Sequence, residues 1–268
     1  MNTTGARVNI MRLALGQFTP PSCDVAGSLA RIMDMCQQAA AAGASWLILP
    51  ELALGGYQIE RARDIALDVD GPELTALTRE ARRLTISVQV GFAERQGALV
   101  YNSVLLMGQD GTRRIYRKTH LFGREPQAFT PGSALAIASQ PALRLAPLIC
   151  YDIEFPELAR SLAQHGADAI FVSTANMEPY GDDQPMFARA RALENGLFVA
   201  IANRTGSDEG FQFFGGSVVA DPFGRILAQA GNEETLLLAD CDLGLVAEAR
   251  AANHYLTDRR PDLPVEMG

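Results

Sequence analysis

The chain has 268 residues, 48% of them hydrophobic, which is enough to bury a sizeable core without staples. A formal net charge of −8 and a pI near 5.0 argue against a nucleic-acid partner or an anionic membrane surface. Four cysteines (23, 36, 150 and 241) form no CxxC pair and three histidines (120, 165 and 254) are far apart in sequence, so no metal centre is expected.

Val8 to Phe18 reads as a first strand, closed by Thr19-Pro20-Pro21. Arg12 and Gln17 interrupt its apolar run, which excludes a signal peptide, and no apolar run reaches the roughly 18 residues of a membrane span. Free thiols in a reducing cytoplasm are the expectation. Asp24 can cap a helix whose apolar face is Leu29, Ile32, Met33, Cys36 and Ala40, and Gly43 ends it. Trp46 to Leu49 is a short apolar strand followed at once by Pro50-Glu51, with Gly55-Gly56-Tyr57 as a turn. Gly71-Pro72 starts a helix over Leu74 to Leu84. Ile86 to Ala93, Ala98 to Met107 and Thr112 to Tyr116 read as a meander with turns at Arg95-Gln96-Gly97 and Gln109-Asp110-Gly111. Lys118 to Gly132 is a long irregular loop, a length that suggests function.

A strand pair then leads to Leu145-Ala146-Pro147-Leu148-Ile149, which stops on Cys150, and Pro156 opens a helix with Leu158, Ala159, Leu162 and Ala163 on one face. Ile170 to Ser173 is a buried strand, Pro185 to Asn195 a helix and Phe198 to Ala202 a strand. Gly216 to Ala220, Ile226 to Ala230 and Thr235 to Ala239 read as a second meander. Residues 42–49 and 165–172 are similar, each a helix end, a tight turn and a buried strand, which suggests two alike halves within one domain. That domain covers residues 1–250, with two sheets face to face and helices outside. The polar, proline-containing tail 251–268 is expected to leave it.

Three ionisable residues sit at strand ends beside turns: Glu51, Lys118 and Cys150. Sites in α/β proteins gather outside the carboxyl ends of strands. A thiol nucleophile on an elbow between strand and helix needs a base, and its oxyanion needs a cation or N–H donors. Glu51 can be that base, Lys118 the cation, the Tyr151 backbone N–H a second donor, and Glu125 a partner that holds Lys118 or positions substrate. Two other readings remain open on these residues alone. Cys150 can be one more buried small hydrophobe, or it can pair with His120 as in papain-type proteases, with Asn176 or Asp152 orienting the ring.

Leu49-Pro50-Glu51-Leu52 with Gly56-Tyr57, then Tyr116-Arg117-Lys118-Thr119-His120-Leu121-Phe122, then Cys150-Tyr151-Asp152-Ile153-Glu154-Phe155-Pro156-Glu157, together resemble the nitrilase superfamily of carbon–nitrogen hydrolases. The match continues through Ala188 to Asn195, Gly215-Gly216-Ser217 and Asp221-Pro222-Phe223-Gly224. The resemblance implies a four-layer αββα sandwich and a homodimer or higher homo-oligomer paired through helices, with the tail at a subunit interface. It implies a catalytic Glu51, Lys118 and Cys150 assisted by Glu125, a thioester intermediate, and no metal or organic cofactor. Tyr151-Asp152 after the cysteine is the amidase-like pattern, whereas true nitrilases usually carry Trp-Glu. The expected activity is therefore an amidase, with nitrilase, ω-amidase and N-carbamoyl amidohydrolase as alternatives within the superfamily and an inactive partner-binding protein outside it.

Tyr57, Tyr151, Asn176 and Met177 are the candidates for contacting a small-molecule amide. The loop Asn176 to Asp183 should overhang the site. It carries Glu178, Asp182 and Asp183 and no Lys or Arg, which predicts neutral or amine-bearing substrates of small to medium size.

Overall fold

The computed structural model describes residues 9–140 and 143–267; Val8, where the first strand is predicted to begin, lies outside that range. The elements in chain order begin with β1 (Ile10–Gln17), α1 (Val25–Ala41), β2 (Trp46–Ile48), α2 (Ala62–Ile65) and α3 (Pro72–Leu84). The meander follows as β3 (Ser87–Gln96), β4 (Leu99–Met107) and β5 (Arg113–Arg117). The second half holds β6 (Ala138–Gln140), β7 (Leu143–Ile149), α4 (Pro156–Gln164), β8 (Ala169–Thr174), α5 (Asp183–Asn195) and β9 (Phe198–Asn203). It closes with β10 (Thr205–Asp208), β11 (Phe211–Phe214), β12 (Val218–Ala220), β13 (Ile226–Gln229), β14 (Thr235–Asp242), α6 (Gly244–Ala252) and α7 (Tyr255–Asp258).

Two six-stranded sheets form, in the orders β14-β1-β2-β3-β4-β5 and β13-β12-β9-β8-β7-β6. In each, three strands run parallel (β1, β2, β3 and β7, β8, β9) and the rest add as antiparallel neighbours. The parallel strands are largely apolar, and β2 wholly so, because both faces of the central strands are covered. One face of each sheet meets the other sheet: Leu13, Leu15, Trp46 and Ile48 pack on Leu145, Phe171, Phe198 and Ala200. The Trp46 and Phe171 rings meet edge to face at 5.5 Å across that seam. The outer face of the first sheet is covered by α1 and α3 through Ile32, Cys36, Leu74 and Leu77. The outer face of the second is covered by α4 and α5 through Ala159, Leu162, Ala188 and Ala192. This is the expected αββα sandwich, and residues 42–49 and 165–172 occupy equivalent places in its halves.

Several expectations are corrected. Helix α1 is capped by Asp24, whose Oδ1 accepts from Gly27 N at 2.8 Å; Ile32 and Cys36 are buried and Leu29 and Met33 pack on the core as predicted, but the helix also buries Met35 and Ala39, which the predicted face omits. β3 runs further than predicted, to Gln96, and β4 starts one residue later, at Leu99, leaving Gly97-Ala98 as the tight turn with Gly97 at φ +60°. The second meander is not one: β12 and β13 pair, but β14 crosses to the other sheet and pairs antiparallel with β1. A hairpin of β10 and β11, absent from the predicted elements, rises beside the site. The tail does not leave at once: Leu256 of α7 packs on the second sheet's outer core, and residues 259–267 are exposed.

Candidate active site

Strand ends deliver the chemical groups. Glu51 follows β2, Lys118 follows β5, and Cys150 follows β7, so one end of the sandwich gathers all three. Cys150 begins a five-residue 3-10 turn with φ +45°, a left-handed conformation that a non-glycine residue adopts only when its surroundings impose it. Leu52, just after Glu51, is also left-handed at φ +50°. Pro147 is tolerated within β7 because β6 pairs only with Leu143, Arg144 and Leu145, leaving that side of the strand free.

The Lys118 Nζ lies 2.7 Å from Glu51 Oε1 and 2.8 Å from Glu125 Oε1, and all three side chains are fully buried. Each carboxylate has further donors. Asn102 Nδ2 donates to Glu51 Oε1 at 2.6 Å, and the Ala175 backbone N–H donates to Oε2 at 2.9 Å. Tyr57 OH donates to Glu125 Oε1 at 2.8 Å, and the Phe122 N–H donates to Oε2 at 2.9 Å. Burial opposes the Lys118 charge, but Glu125 and Glu51 outweigh it and hold the ammonium well above its ordinary value. Burial also raises the Glu125 carboxyl, against the pull of Lys118. The Cys150 thiol is pushed up by burial and by the Glu51 charge, with Lys118 and the Thr174 side chain acting in the opposite sense. The resting group is thus a thiol that needs a base to release its proton.

Beside this cluster is a cavity of about 250 Å³. The elbow contributes Cys150, Tyr151 and Glu154, the loop after β8 contributes Asn176, Met177 and Tyr180, and the loop after β5 contributes Phe122. Tyr151, Asn176 and Met177 are where the sequence places them. Tyr57 is not on that lining: it is buried under the β10–β11 hairpin, against Phe211 and Phe213, with its hydroxyl on Glu125. The loop does overhang, but two of its three acids, Glu178 and Asp182, do not face inward, while Asp183 is partly buried and acts on Glu154. Tyr180 N bonds back to Met177 O at 2.9 Å, and that turn leaves Glu178 and Asp182 exposed to water. The carboxylate on the cavity wall belongs to Glu154.

His120 stacks on Phe155 at 3.9 Å with its Nδ1 3.1 Å from Asp152 Oδ1, and among the described residues it makes no hydrogen bond to Cys150. Asp152 is a buried clasp. It accepts from Tyr116 OH and Thr119 Oγ1, both at 2.8 Å, and from the backbone N–H groups of His120 at 3.0 Å and Ile149 at 3.2 Å. It thereby ties the Lys118 loop to the Cys150 elbow. Sequence reading missed Asn102; the signal was there, a polar residue within the apolar run Val100 to Met107. No group of three metal-ligating side chains occurs among the described residues.

Comparison with known proteins shows the family. The family described as carbon-nitrogen hydrolase matches residues 12–251. A hydrolase encoded in the pqqF 5′ region of Pseudomonas protegens is 41% identical, covering 96% of this chain and 91% of that one. An (R)-stereoselective amidase of a Pseudomonas species is 37% identical, covering 93% and 92%. A mutant of the amidase from Nesterenkonia sp. AN1, solved in complex with acrylamide, superposes with a TM-score of 0.86 at 32% identity over 95% of this chain and 96% of that one. The same amidase has been solved with butyramide, with a TM-score of 0.81 at 31% identity over 91% and 95%. The chain belongs to the carbon-nitrogen hydrolase family, as an amidase-like enzyme acting on carbon–nitrogen bonds.

Proposed function

We propose that the protein hydrolyses a small to medium, neutral or amine-bearing carboxamide to the acid and ammonia, with Cys150 as nucleophile. The observation that carries this reading is the buried ammonium of Lys118 held between Glu51 and Glu125 beside a cavity that opens on Cys150. Small amides bound by the Nesterenkonia relative support the substrate class.

Glu51 accepts the thiol proton as Sγ attacks the amide carbon. The carbonyl oxygen becomes an oxyanion facing the Lys118 ammonium and the Tyr151 N–H, which stands in the first turn of the 3-10 segment where backbone donors lack internal partners. The proton on Glu51 passes to the leaving nitrogen, the C–N bond breaks, and ammonia departs from a thioester. Glu51 then deprotonates a water that attacks the thioester, and Cys150 leaves as the thiol with the proton returned. Glu125 keeps Lys118 in place throughout. The working unit is expected to be a homodimer.

Ammonia release from a panel of simple amides, nitriles, ω-amides and carbamoyl compounds tests this. Turnover of short aliphatic amides, lost in Cys150→Ala, is the expected result. Turnover of nitriles alone, or near wild-type activity in Cys150→Ala, overturns the reading.

A further inference from the structure

We propose that Glu154 is a specificity-determining residue, binding the protonated amine of a small amino-amide whose carboxamide carbon lies at Cys150. The proposal rests on the amidase reading and adds to it the group that recognises the rest of the substrate.

Glu154 is four residues beyond Cys150, at the far end of the same 3-10 turn, and shares the cavity wall with it. It is half-buried, and among the described residues its carboxylate makes no hydrogen bond and no ion pair. The cations that face it are already engaged. Lys118 is held by Glu51 and Glu125, and Arg191 donates to the backbone carbonyls of Ile153 and Glu154 and to the Glu194 side chain. Asp183, at the start of α5, adds a second negative charge nearby. Burial first, and Asp183 second, raise the Glu154 carboxyl against the smaller pull of Lys118 and Arg191, neither of which bonds to it.

The aromatic part of the lining has a matching preference. Phe122 packs edge to face on Tyr151 at 5.3 Å and on Tyr180 at 6.2 Å, and all three rings line the cavity. Ring faces attract ammonium groups, and the attraction grows as water is excluded. A carboxylate without a partner and an aromatic wall in one cavity both select a cation. At about 250 Å³ the cavity is a little below the roughly 300 Å³ lower bound usual for ligand pockets, so the occupant is small. The same field disfavours an anionic substrate.

The test compares three amides of similar shape: alaninamide, its neutral isostere isobutyramide, and the carboxylate-bearing succinamate. The wild type is expected to favour alaninamide over isobutyramide in kcat/KM, with succinamate poorest. That preference should shrink as salt rises from about 0.01 to 1 M, because screening acts on the charged pair. Glu154→Gln should lower the alaninamide-to-isobutyramide ratio at least about tenfold, chiefly through KM, and Glu154→Lys should raise succinamate relative to alaninamide. An equal loss on both substrates in Glu154→Gln, or a wild-type preference indifferent to salt, overturns the proposal while the amidase reading stands. The salt series uses the wild type alone, so it decides even where a variant fails to fold. Failure of the wild type to release ammonia from any amide is the distinct failure of the amidase reading itself.

Discussion

Cys150 differs from the other thiols by its surroundings and not by its intrinsic chemistry. Burial pushes the Cys36 and Cys241 thiols up to about 12, and both lie inside apolar cores where, among the described residues, the charges acting on them are carboxylates. Cys150 is also raised by burial, but it opens on a cavity, and Lys118 acts on it. Cys36→Ala and Cys241→Ala should therefore keep activity at a stability cost of about 1–3 kcal/mol, read from thermal melts. Glu51→Gln and Lys118→Ala should each lower kcat more than about a hundredfold, the scale of a lost general base or oxyanion donor. His120→Ala, which loses one contact to a well-satisfied Asp152, should lower it far less; a dead His120→Ala beside an active Glu51→Gln would establish a Cys–His mechanism instead. Asn102 makes a sharper case. Its Nδ2 serves Glu51 while its Oδ1 is buried and, among the described residues, has no partner, an arrangement unfavourable for stability. Asn102→Leu is thus expected to leave the melting temperature near or above wild type while kcat falls about tenfold or more. Glu51, Lys118 and Cys150 were legible because each stands at a strand end in a recognisable local string, and Glu125 because it lies in the conspicuously long loop after Lys118. Asn102 and the clasp role of Asp152 were not, because their partners are distant in sequence and meet only through packing.

At the scale of elements, the site depends on how closely the strand-end segments approach one another. Gly91 of β3 lies beneath the turn after β2, and a Cβ there would stand 2.4 Å from Pro50 O, 2.6 Å from Leu52 N and 2.8 Å from Glu51 Cα. Those neighbours are backbone, which cannot swing aside as a flexible side chain does. Gly91→Ala is expected to displace the Glu51 turn, costing about 1–3 kcal/mol of stability and a larger share of activity. Equal kcat in the variant and the wild type would show that Glu51 does not need this seat. Sequence periodicity located the β3–β4–β5 meander because its turns are short and carry glycine. It failed for β14, because nothing local distinguishes a third strand that pairs with β13 from one that crosses to β1. It also failed for the β10–β11 hairpin, whose strands are too short to show alternation.

At the scale of the whole molecule, the two sheets contribute different parts of the chemistry. The first carries Glu51, Asn102 and Lys118, and the second carries Cys150 and the Ala175 N–H. Polar contacts fix their relative position next to the site. Gln89 Nε2 donates to Ser173 Oγ at 3.0 Å, Ser173 Oγ donates to Leu49 O at 2.7 Å, and Glu51 N donates to Thr174 O at 3.3 Å. Outside the sandwich, α5 covers the second sheet with Ala188 and Ala192 while its far face shows Met186, 57% exposed, and Leu193, 39% exposed. Those two are seven residues apart and so share one face of the helix. Tyr255 of the neighbouring α7 adds a further exposed ring, 49% accessible. An apolar stripe of this kind is the expected seat of the second subunit, paired helix to helix about a two-fold axis. Its N-terminal end reaches Asp183, which acts on Glu154 in the cavity, so pairing along α5 would steady one wall of the substrate site. The double variant Met186→Glu, Leu193→Glu should sediment as a monomer where the wild type sediments as a dimer or larger. Its circular dichroism should be unchanged, and its KM for small amides should rise more than its kcat falls. A wild type that sediments as a monomer, or a charged variant that still pairs, would place any subunit contact elsewhere.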